Sequence, residues 1–284
     1  MSESGTQLFA RLEDRPRLKD IEPGLFPDDG GSDHGEVVEV YGPEGTGKTE
    51  LLYHLLCRCV LPEAAGGLEV DVVFVDTDCS FDMFRLVSIL DSRLNAGVST
   101  CLTSSDDGVL RSCLSRLLVV RCCSSSQLLL TLHFLETTLS ARHSLGLVLI
   151  DSISAFYWSD RSEGGTNMMK QEEKLSKCSE LLGRLLRDYK ITIFATCHPI
   201  RRGPSSSAST SEPDRSHLCR SWQRLVTHRL VCSRQEAEKK LFATEGEQRS
   251  RQVFRVHCSS PSWTGTKGSR ISTFIVTDGG LKFT

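Results

Sequence analysis

The stretch Gly42-Pro43-Glu44-Gly45-Thr46-Gly47-Lys48-Thr49 decides the fold of this chain. It matches the pattern G-x-x-x-x-G-K-S/T, follows the apolar run 36–41, and precedes leucines at helical spacing. Glycines let successive backbone N–H groups turn toward a phosphate, and the N-terminus of the following helix adds its partial positive charge. The stretch therefore predicts a strand, a phosphate-binding loop and a helix in direct succession.

We predict that the residues of this loop bind ATP and Mg²⁺. The backbone of 42–47 forms the cradle, the Lys48 ammonium reaches the β- and γ-phosphates, and the Thr49 hydroxyl binds the metal ion. Two alternatives stand beside this interpretation. One is a chance glycine-rich turn, which the flanking strand and helix disfavour. The other is a loop kept for structural reasons that no longer binds tightly.

The chain on either side of the loop alternates short β-rich runs with longer helical stretches, as in a parallel sheet with crossover helices. The helix predicted over Met169–Tyr189 has apolar residues at three-and-four spacing. We predict an α/β fold with a mainly parallel, twisted sheet flanked by helices and extended by antiparallel C-terminal strands. The predicted parallel strands are Glu36–Tyr41, Val70–Asp76, Leu117–Arg121, Leu145–Ile150 and Ile191–Thr196, and the C-terminal ones are Leu225–Ser233, Gln252–Cys258 and Arg270–Thr277.

The predicted domain organisation is simple. Residues 1–34 form an N-terminal arm or linker, and residues 35–284 form one core domain with a mobile polar loop at about 199–221. Asp278-Gly279-Gly280 is expected to turn the last long strand back on itself.

A second acidic position lies at the end of another apolar run. The segment Leu145–Asp151 ends in aspartate, which is where proteins with this loop hold the water shell of the metal ion. An aspartate at a strand end is also a common turn residue or helix cap. Paired with the phosphate loop, Asp151 becomes the favoured residue on the metal side, with Mg²⁺ held through water.

Composition limits the function classes. The 284 residues include 39% hydrophobic ones, the net charge is −2 and the pI is near 6.5, so no global charge draws the chain to nucleic acid or to an anionic membrane. No apolar run is long enough to span a bilayer, and no signal peptide is visible. The twelve cysteines show no zinc spacing and are expected to be buried free thiols in a reducing compartment.

Several segments together resemble the RecA family, and within it the eukaryotic recombinase paralogues of homologous recombination. They are HGEVVEVYGPEGTGKTELLYHL, GGLEVDVVFVDTD, LVLIDSISAFYWSDR and WQRLVTHRLVCSR, supported by FDMFRLVSIL and CSSSQLLLTL. The resemblance covers nearly the whole chain. It implies a RecA-type ATPase core, a nuclear location and a part in repairing DNA double-strand breaks.

The same resemblance implies partners. They are other recombinase paralogues in a hetero-oligomeric complex, and single-stranded or branched DNA reached through that complex, with no membrane. The complex would support loading or stabilisation of the strand-exchange recombinase. Family members carry a helical DNA-binding domain ahead of the core, and too few residues precede Gly35 to form one, so we expect that contact surface to be missing.

Two positions depart from the family pattern. Where active recombinases have a glutamate that activates the attacking water, this chain has Asp78, whose side chain is one methylene shorter. Where the family has a glutamine that senses the γ-phosphate, this chain has His198, followed by Pro199. His198 either donates a hydrogen bond as a sensor or is a strand-end histidine without that role.

Two stretches match the DNA-facing loops of the family, 158–170 and 200–220. Their candidate phosphate contacts are Arg161, Arg201, Arg202, Arg215 and Arg220, and the alternative is that these arginines are simply solvated. Trp158 and its aromatic neighbours could stack on bases, but we expect them to pack under the first loop.

Two functional hypotheses follow. The first is a non-autonomous paralogue subunit that binds ATP and hydrolyses it weakly or not at all. The alternative is a catalytically active DNA-dependent ATPase of the same fold. Asp78 and His198 favour the first, because both departures fall where hydrolysis and sensing would take place.

Overall fold

A computed structural model describes residues 4–5, 18–26, 35–96, 106–165, 167–200, 218–235, 252–260 and 269–284. The described strands are β1 (Val37–Tyr41), β2 (Asp71–Asp76), β3 (Leu117–Arg121), β4 (Leu145–Asp151), β5 (Thr192–Cys197), β6 (His228–Arg234), β7 (Val253–Ser259), β8 (Arg270–Thr277) and β9 (Gly280–Phe283). The helices are α1 (Leu18–Ile21), α2 (Lys48–Val60), α3 (Met83–Ala96), α4 (Asp106–Ser115), α5 (Ser125–Ala141), α6 (Tyr157–Glu163), α7 (Met168–Tyr189) and α8 (Arg220–Leu225), with a 3₁₀ turn at Glu63–Ala65.

All these strands form one sheet in the order β3-β2-β4-β5-β1-β6-β7-β8-β9. The pairs from β3 through β6 are parallel, and β6–β7, β7–β8 and β8–β9 are antiparallel. The predicted fold class is confirmed. Because β1, β4 and β5 run parallel to one another, their carboxyl ends lie at the same edge of the sheet. This edge is where a P-loop fold binds its ligand.

Successive residues of the central strands enter two different cores. In β2, Val72 and Phe74 belong to the cluster under α2, α3 and α4, whereas Val73 and Val75 belong to the cluster under α5, α7 and α8. Both faces of the parallel sheet are therefore covered by helices, which is why its strands are continuous apolar runs.

Most predicted boundaries hold within one residue, and one is wrong. Leu225, predicted to begin a strand, ends α8, and β6 begins at His228. In α8 the buried Trp222 donates a hydrogen bond from its indole nitrogen to Glu39 of β1, over 2.9 Å, which fixes the helix against the sheet. In addition, β6 pairs parallel with β1, so the antiparallel part starts one strand later than predicted.

The C-terminal hairpin β8–β9 contacts the helices that follow the phosphate loop. Arg85 of α3 makes two hydrogen bonds of 2.9 Å to the Glu50 carboxylate of α2, and two of 2.7 Å to the carbonyl oxygens of Thr277 and Asp278. The hairpin thus covers one side of α2.

Residues 18–26 also pack on the core. Ile21, Leu25 and Phe26 are almost completely buried, and Glu22 bonds to the His54 ring of α2 at 2.5 Å. The division of the chain at residue 34 stays a prediction, but this part of the predicted arm lies within the core cluster. Residues 201–217, which include most of the predicted polar loop, lie outside the described residues.

Candidate functional site

The phosphate loop joins β1 to α2 as predicted. Gly45 and Gly47 have φ angles of 71° and 80°, in the left-handed region that side chains disfavour, and Gly47 is the N-cap of α2. A loop of this shape aims backbone N–H groups and the positive end of a helix at one point. The local sequence thus builds a cradle for an anionic phosphate group.

Lys48 lies inside this loop. Its ammonium donates hydrogen bonds of 2.8 Å to the carbonyl oxygens of Gly42 and Pro43, and the residue is only 5% exposed. Burial lowers its pKa, and the charge of Asp151 works in the opposite direction. The Lys48 ammonium is therefore held beside the backbone of the phosphate loop, where it would contact a bound phosphate.

Asp151 is the acceptor at the centre of the site. The Thr49 hydroxyl donates to its Oδ2 over 2.8 Å, the Ser80 hydroxyl donates to the same oxygen over 3.2 Å, and the Thr196 hydroxyl donates to Oδ1. Asp151 is 2% exposed. The structure therefore brings together Thr49 and Asp151, which lie far apart in the sequence.

These residues fit Mg²⁺ bound to a nucleotide. Magnesium prefers oxygen ligands and commonly uses one or two protein oxygens together with phosphates and waters. Thr49 and Asp151 supply a hydroxyl and a carboxylate beside the phosphate loop. The assignment of these side chains to ATP and metal remains a prediction from residue type and geometry.

Asp78 and His198 contact each other. The Nε2 of His198 lies 3.3 Å from the Oδ2 of Asp78, so the ends of β2 and β5 are bridged at the edge where Asp151 lies. Burial raises the pKa of Asp78, but hydrogen bonds from His198 and Ser152 and the charge of Lys48 outweigh it, so the pKa is lowered. The backbone N–H of His198 also donates to the Ser154 hydroxyl over 3.0 Å.

Only part of the predicted DNA surface lies within the described residues, because Arg201, Arg202 and Arg215 fall outside them. Arg220 is exposed at the start of α8. Arg161 donates a 2.6 Å hydrogen bond to the Tyr157 hydroxyl and lies over that ring.

The predicted first DNA loop is wrong in its conformation, because residues 157–163 form α6 and α7 begins at Met168. The expected packing of the aromatic residues is wrong for Trp158, which is 58% exposed, whereas Phe156 packs against the core. The resemblance to the family's first DNA-facing loop predicted a loop here, but Asn167 caps α7 with two side-chain hydrogen bonds and shortens the connection.

Sequence reasoning missed Ser80 and Thr196. Each is two residues from a position that the family pattern singles out, and a hydroxyl near the end of a strand is too common to be a signal by itself. Only the position of Asp151 between β2 and β5 shows that both hydroxyls reach the same carboxylate.

The sequence profile of the Rad51 family matches residues 28–221, which include the phosphate loop, Asp78, Asp151 and His198. The chain belongs to the Rad51 family. The resemblance to recombinase paralogues is thereby confirmed, and the relatives below agree with it.

Three relatives from two organisms show how far the similarity extends. The mouse DNA repair protein XRCC2 is 48% identical, with 84% of this chain and 86% of the mouse protein aligned. The Arabidopsis thaliana XRCC2 homologue is 27% identical, with 86% of this chain and 79% of the relative covered. The mouse DNA repair protein RAD51 homolog 2 is 31% identical over 59% of this chain and 46% of its own length. Within the described part of the chain, no helix has the length and apolar character to cross a membrane.

Proposed function

We propose that this chain is a nuclear Rad51-family paralogue subunit that acts in homologous recombination repair of DNA double-strand breaks. It assembles with other recombinase paralogues and supports loading or stabilisation of the strand-exchange recombinase on single-stranded DNA. It binds ATP with Mg²⁺ and hydrolyses it weakly or not at all. The observation that carries this proposal is a complete phosphate loop facing Asp151 beside an Asp78 that is paired with His198.

Nucleotide binding is supported by the phosphate loop and its surroundings. Two glycines with positive φ, the buried Lys48, and the Thr49 hydroxyl bonded to Asp151 are the parts that such a site requires. Lys48 supplies charge to the phosphates, and Thr49 and Asp151 orient the ion and its waters. Bound Mg²⁺ would neutralise charge on the phosphates.

Slow hydrolysis is supported by the neighbouring pair. A general base must come within hydrogen-bond reach of the attacking water, and a misplacement of about 1 Å can lower a rate on the order of a hundredfold. Asp78 has a shorter side chain than glutamate, and its Oδ2 is already in contact with His198. We therefore expect Asp78 to be poorly placed to activate that water.

Assembly with another paralogue is supported by one edge of the sheet. Strand β3 is last in the strand order, so its outer edge faces away from the other described strands. The helix that follows β3, α5, exposes Leu130 and Phe134, at 58% and 71%, one helical turn apart on the face opposite its buried leucines. An exposed strand edge can accept an extended segment as an added strand, and exposed apolar side chains provide further contact area for a partner. We propose that a segment of another Rad51-family paralogue binds there.

The proposal is tested on the full chain co-purified with its paralogue partners. Binding of radiolabelled ATP with Mg²⁺ is measured first, and phosphate release is then measured with and without single-stranded DNA. We expect saturable binding and turnover far below about 1 per second, the lower end of usual enzyme rates. Turnover at or above that rate would identify the alternative, an active DNA-dependent ATPase.

Two variants serve as references in this experiment. Lys48→Ala measures the ATP binding and phosphate release that do not depend on the phosphate loop. Asp78→Glu restores the longer carboxylate of the active recombinases, and an increase in turnover in that variant alone supports the assignment of position 78. Affinity of the complex for single-stranded DNA, compared with that of the isolated chain over a range of salt, shows whether DNA contact needs the partners.

A further inference from the structure

Two of the C-terminal antiparallel strands, β7 and β8, pack against the phosphate loop. Phe274 of β8 is fully buried, and its ring stacks on that of Phe254 in β7, with centroids 5.2 Å apart and planes 20° apart. The Phe274 ring lies directly against the loop, since a Cβ atom placed on Gly47 would be 3.0 Å from its Cζ. Phe254 lies slightly farther away, at 3.6 Å from the same point.

The other end of the loop packs against strand β6. A Cβ atom on Gly42 would lie 2.5 Å from the carbonyl oxygen of Cys232 in β6. At both Gly42 and Gly47 the loop backbone is therefore too close to the C-terminal strands to move toward them. Close packing of this kind transmits a change in one layer to the next.

The hairpin that contains Phe274 is itself tied to the phosphate-loop helix. Arg85 bonds to the Glu50 carboxylate in the first turn of α2 and to the carbonyl oxygens of Thr277 and Asp278 at the end of β8. This connection keeps β8, and the ring it carries, at a fixed distance from the start of α2.

We propose that Phe274 is a positioning residue for the phosphate-binding conformation of the loop. Gly47 has no side chain of its own to hold its left-handed backbone, and the rigid edge of the Phe274 ring, at Cζ and Cε2, stops it from moving away from a bound phosphate. The amides of the loop are then fixed before a nucleotide arrives, which reduces the ordering that binding requires. This inference rests on the proposed nucleotide binding, which it deepens by giving the C-terminal strands a part in it.

The experiment compares Phe274→Leu with Phe283→Leu in the full chain, co-purified with its partners. Phe283 contacts the same aromatic cluster, with its ring 6.3 Å from that of Phe274 and 5.5 Å from that of His54, and is the matched control. Three quantities are measured: the denaturant midpoint without nucleotide, the Kd for a fluorescent ATP analogue with Mg²⁺, and the hydrogen exchange of a peptide containing Gly47 and Lys48.

We expect both variants to lower the denaturant midpoint, since Phe274 is fully buried and Phe283 is partly buried against the same cluster. Only Phe274→Leu is expected to weaken nucleotide binding, by about tenfold, a factor that corresponds to about 1.4 kcal/mol. It should also speed hydrogen exchange in the loop peptide. A purely structural role would change the midpoint alone. Equal Kd values in wild type and Phe274→Leu, or equal losses in both variants, would overturn the inference.

The result also separates this inference from the proposed function. If the wild type binds no nucleotide, the proposed ATP binding fails, and loop exchange alone then decides whether Phe274 holds the loop. If Phe274→Leu does not fold, Phe254→Leu takes its place, because it removes the ring that stacks on Phe274 and keeps the Phe274 ring itself beside Gly47. Faster loop exchange in that variant than in Phe283→Leu supports the inference, and equal exchange overturns it.

Discussion

The Nε2 of His198 lies 3.3 Å from the Oδ2 of Asp78, so the two positions that depart from the pattern of active recombinases contact each other. By resemblance to the family, one departure falls at the position predicted to activate water and the other at the position predicted to sense the γ-phosphate. Their contact makes them a single feature of the structure. A carboxylate engaged by a histidine is less available to a water molecule, which is consistent with binding of ATP without turnover.

The contact between Asp78 and His198 predicts a pH effect. Because the hydrogen bond from His198 helps to lower the pKa of Asp78, His198→Ala should raise that pKa toward its ordinary value, in part only, since Ser152 and Lys48 still act on it. A lowered pKa in the folded state adds stability that is complete above the ordinary carboxyl pKa, about 4, and is lost as pH falls through the lowered value. The variant should therefore lose less stability than wild type as pH falls through this range.

Carbon NMR of the Asp78 carboxyl checks the direction of the pKa change, and urea unfolding between about pH 2 and 6 checks its effect on stability. Asp78→Asn is the control, since in that background His198→Ala should no longer alter the pH dependence. An unchanged Asp78 pKa in His198→Ala would show that the contact has no energetic effect.

Loss of the loop lysine should separate nucleotide binding from assembly. Lys48→Ala removes a cation that is 5% exposed and lies in the phosphate loop, away from β3. Hydrogen bonds to a charged group contribute about 1.5–3 kcal/mol, so ATP affinity should fall by about ten- to a hundredfold. Pull-down of paralogue partners should stay near the wild-type level. Parallel loss of both would contradict the prediction, and circular dichroism excludes misfolding as the cause.

The exposed apolar residues of α5 should matter for assembly rather than for folding. Phe134→Ser removes a ring that is 71% exposed, so the free energy of unfolding should change by no more than about 0.5 kcal/mol. Co-purification with paralogue partners should fall sharply. Ile271→Ser changes a residue of similar exposure on β8 and is the matched control. A larger assembly defect in the control would mean that the partner binds elsewhere.

The ties of Arg85 should stabilise the C-terminal hairpin. Arg85→Gln removes the paired hydrogen bonds to Glu50 and those to the carbonyls of Thr277 and Asp278, in a partly buried setting, and should cost about 1–3 kcal/mol. Arg184→Gln breaks a more exposed ion pair with Glu136 and should have little effect. Denaturant unfolding compares the two variants, and faster hydrogen exchange of β8 and β9 in Arg85→Gln alone would localise the loss.

The sequence predicted the sheet well because its signals are local. The apolar run that became β4 and the helix over Met168–Tyr189 stand out by residue type and spacing, and their ends shift by one residue or less. The errors occur where neighbouring structure overrides local pattern. Leu225 reads as part of a strand but ends a helix, because Trp222 is buried against Glu39. The loop after Tyr157 is largely helical for a similar reason, since Lys174 of α7 bonds to Asp160 of α6.

The sequence by itself determined the phosphate loop, the strand ending at Asp151 and the class of the fold, because each depends on residues that are neighbours along the chain. Only the tertiary structure decided that Ser80 and Thr196 share Asp151 with Thr49, that Asp78 meets His198, and that Phe274 lies against Gly47. These contacts join strands and loops that are distant in sequence. Their distances depend on strand order and side-chain packing, which no local pattern contains.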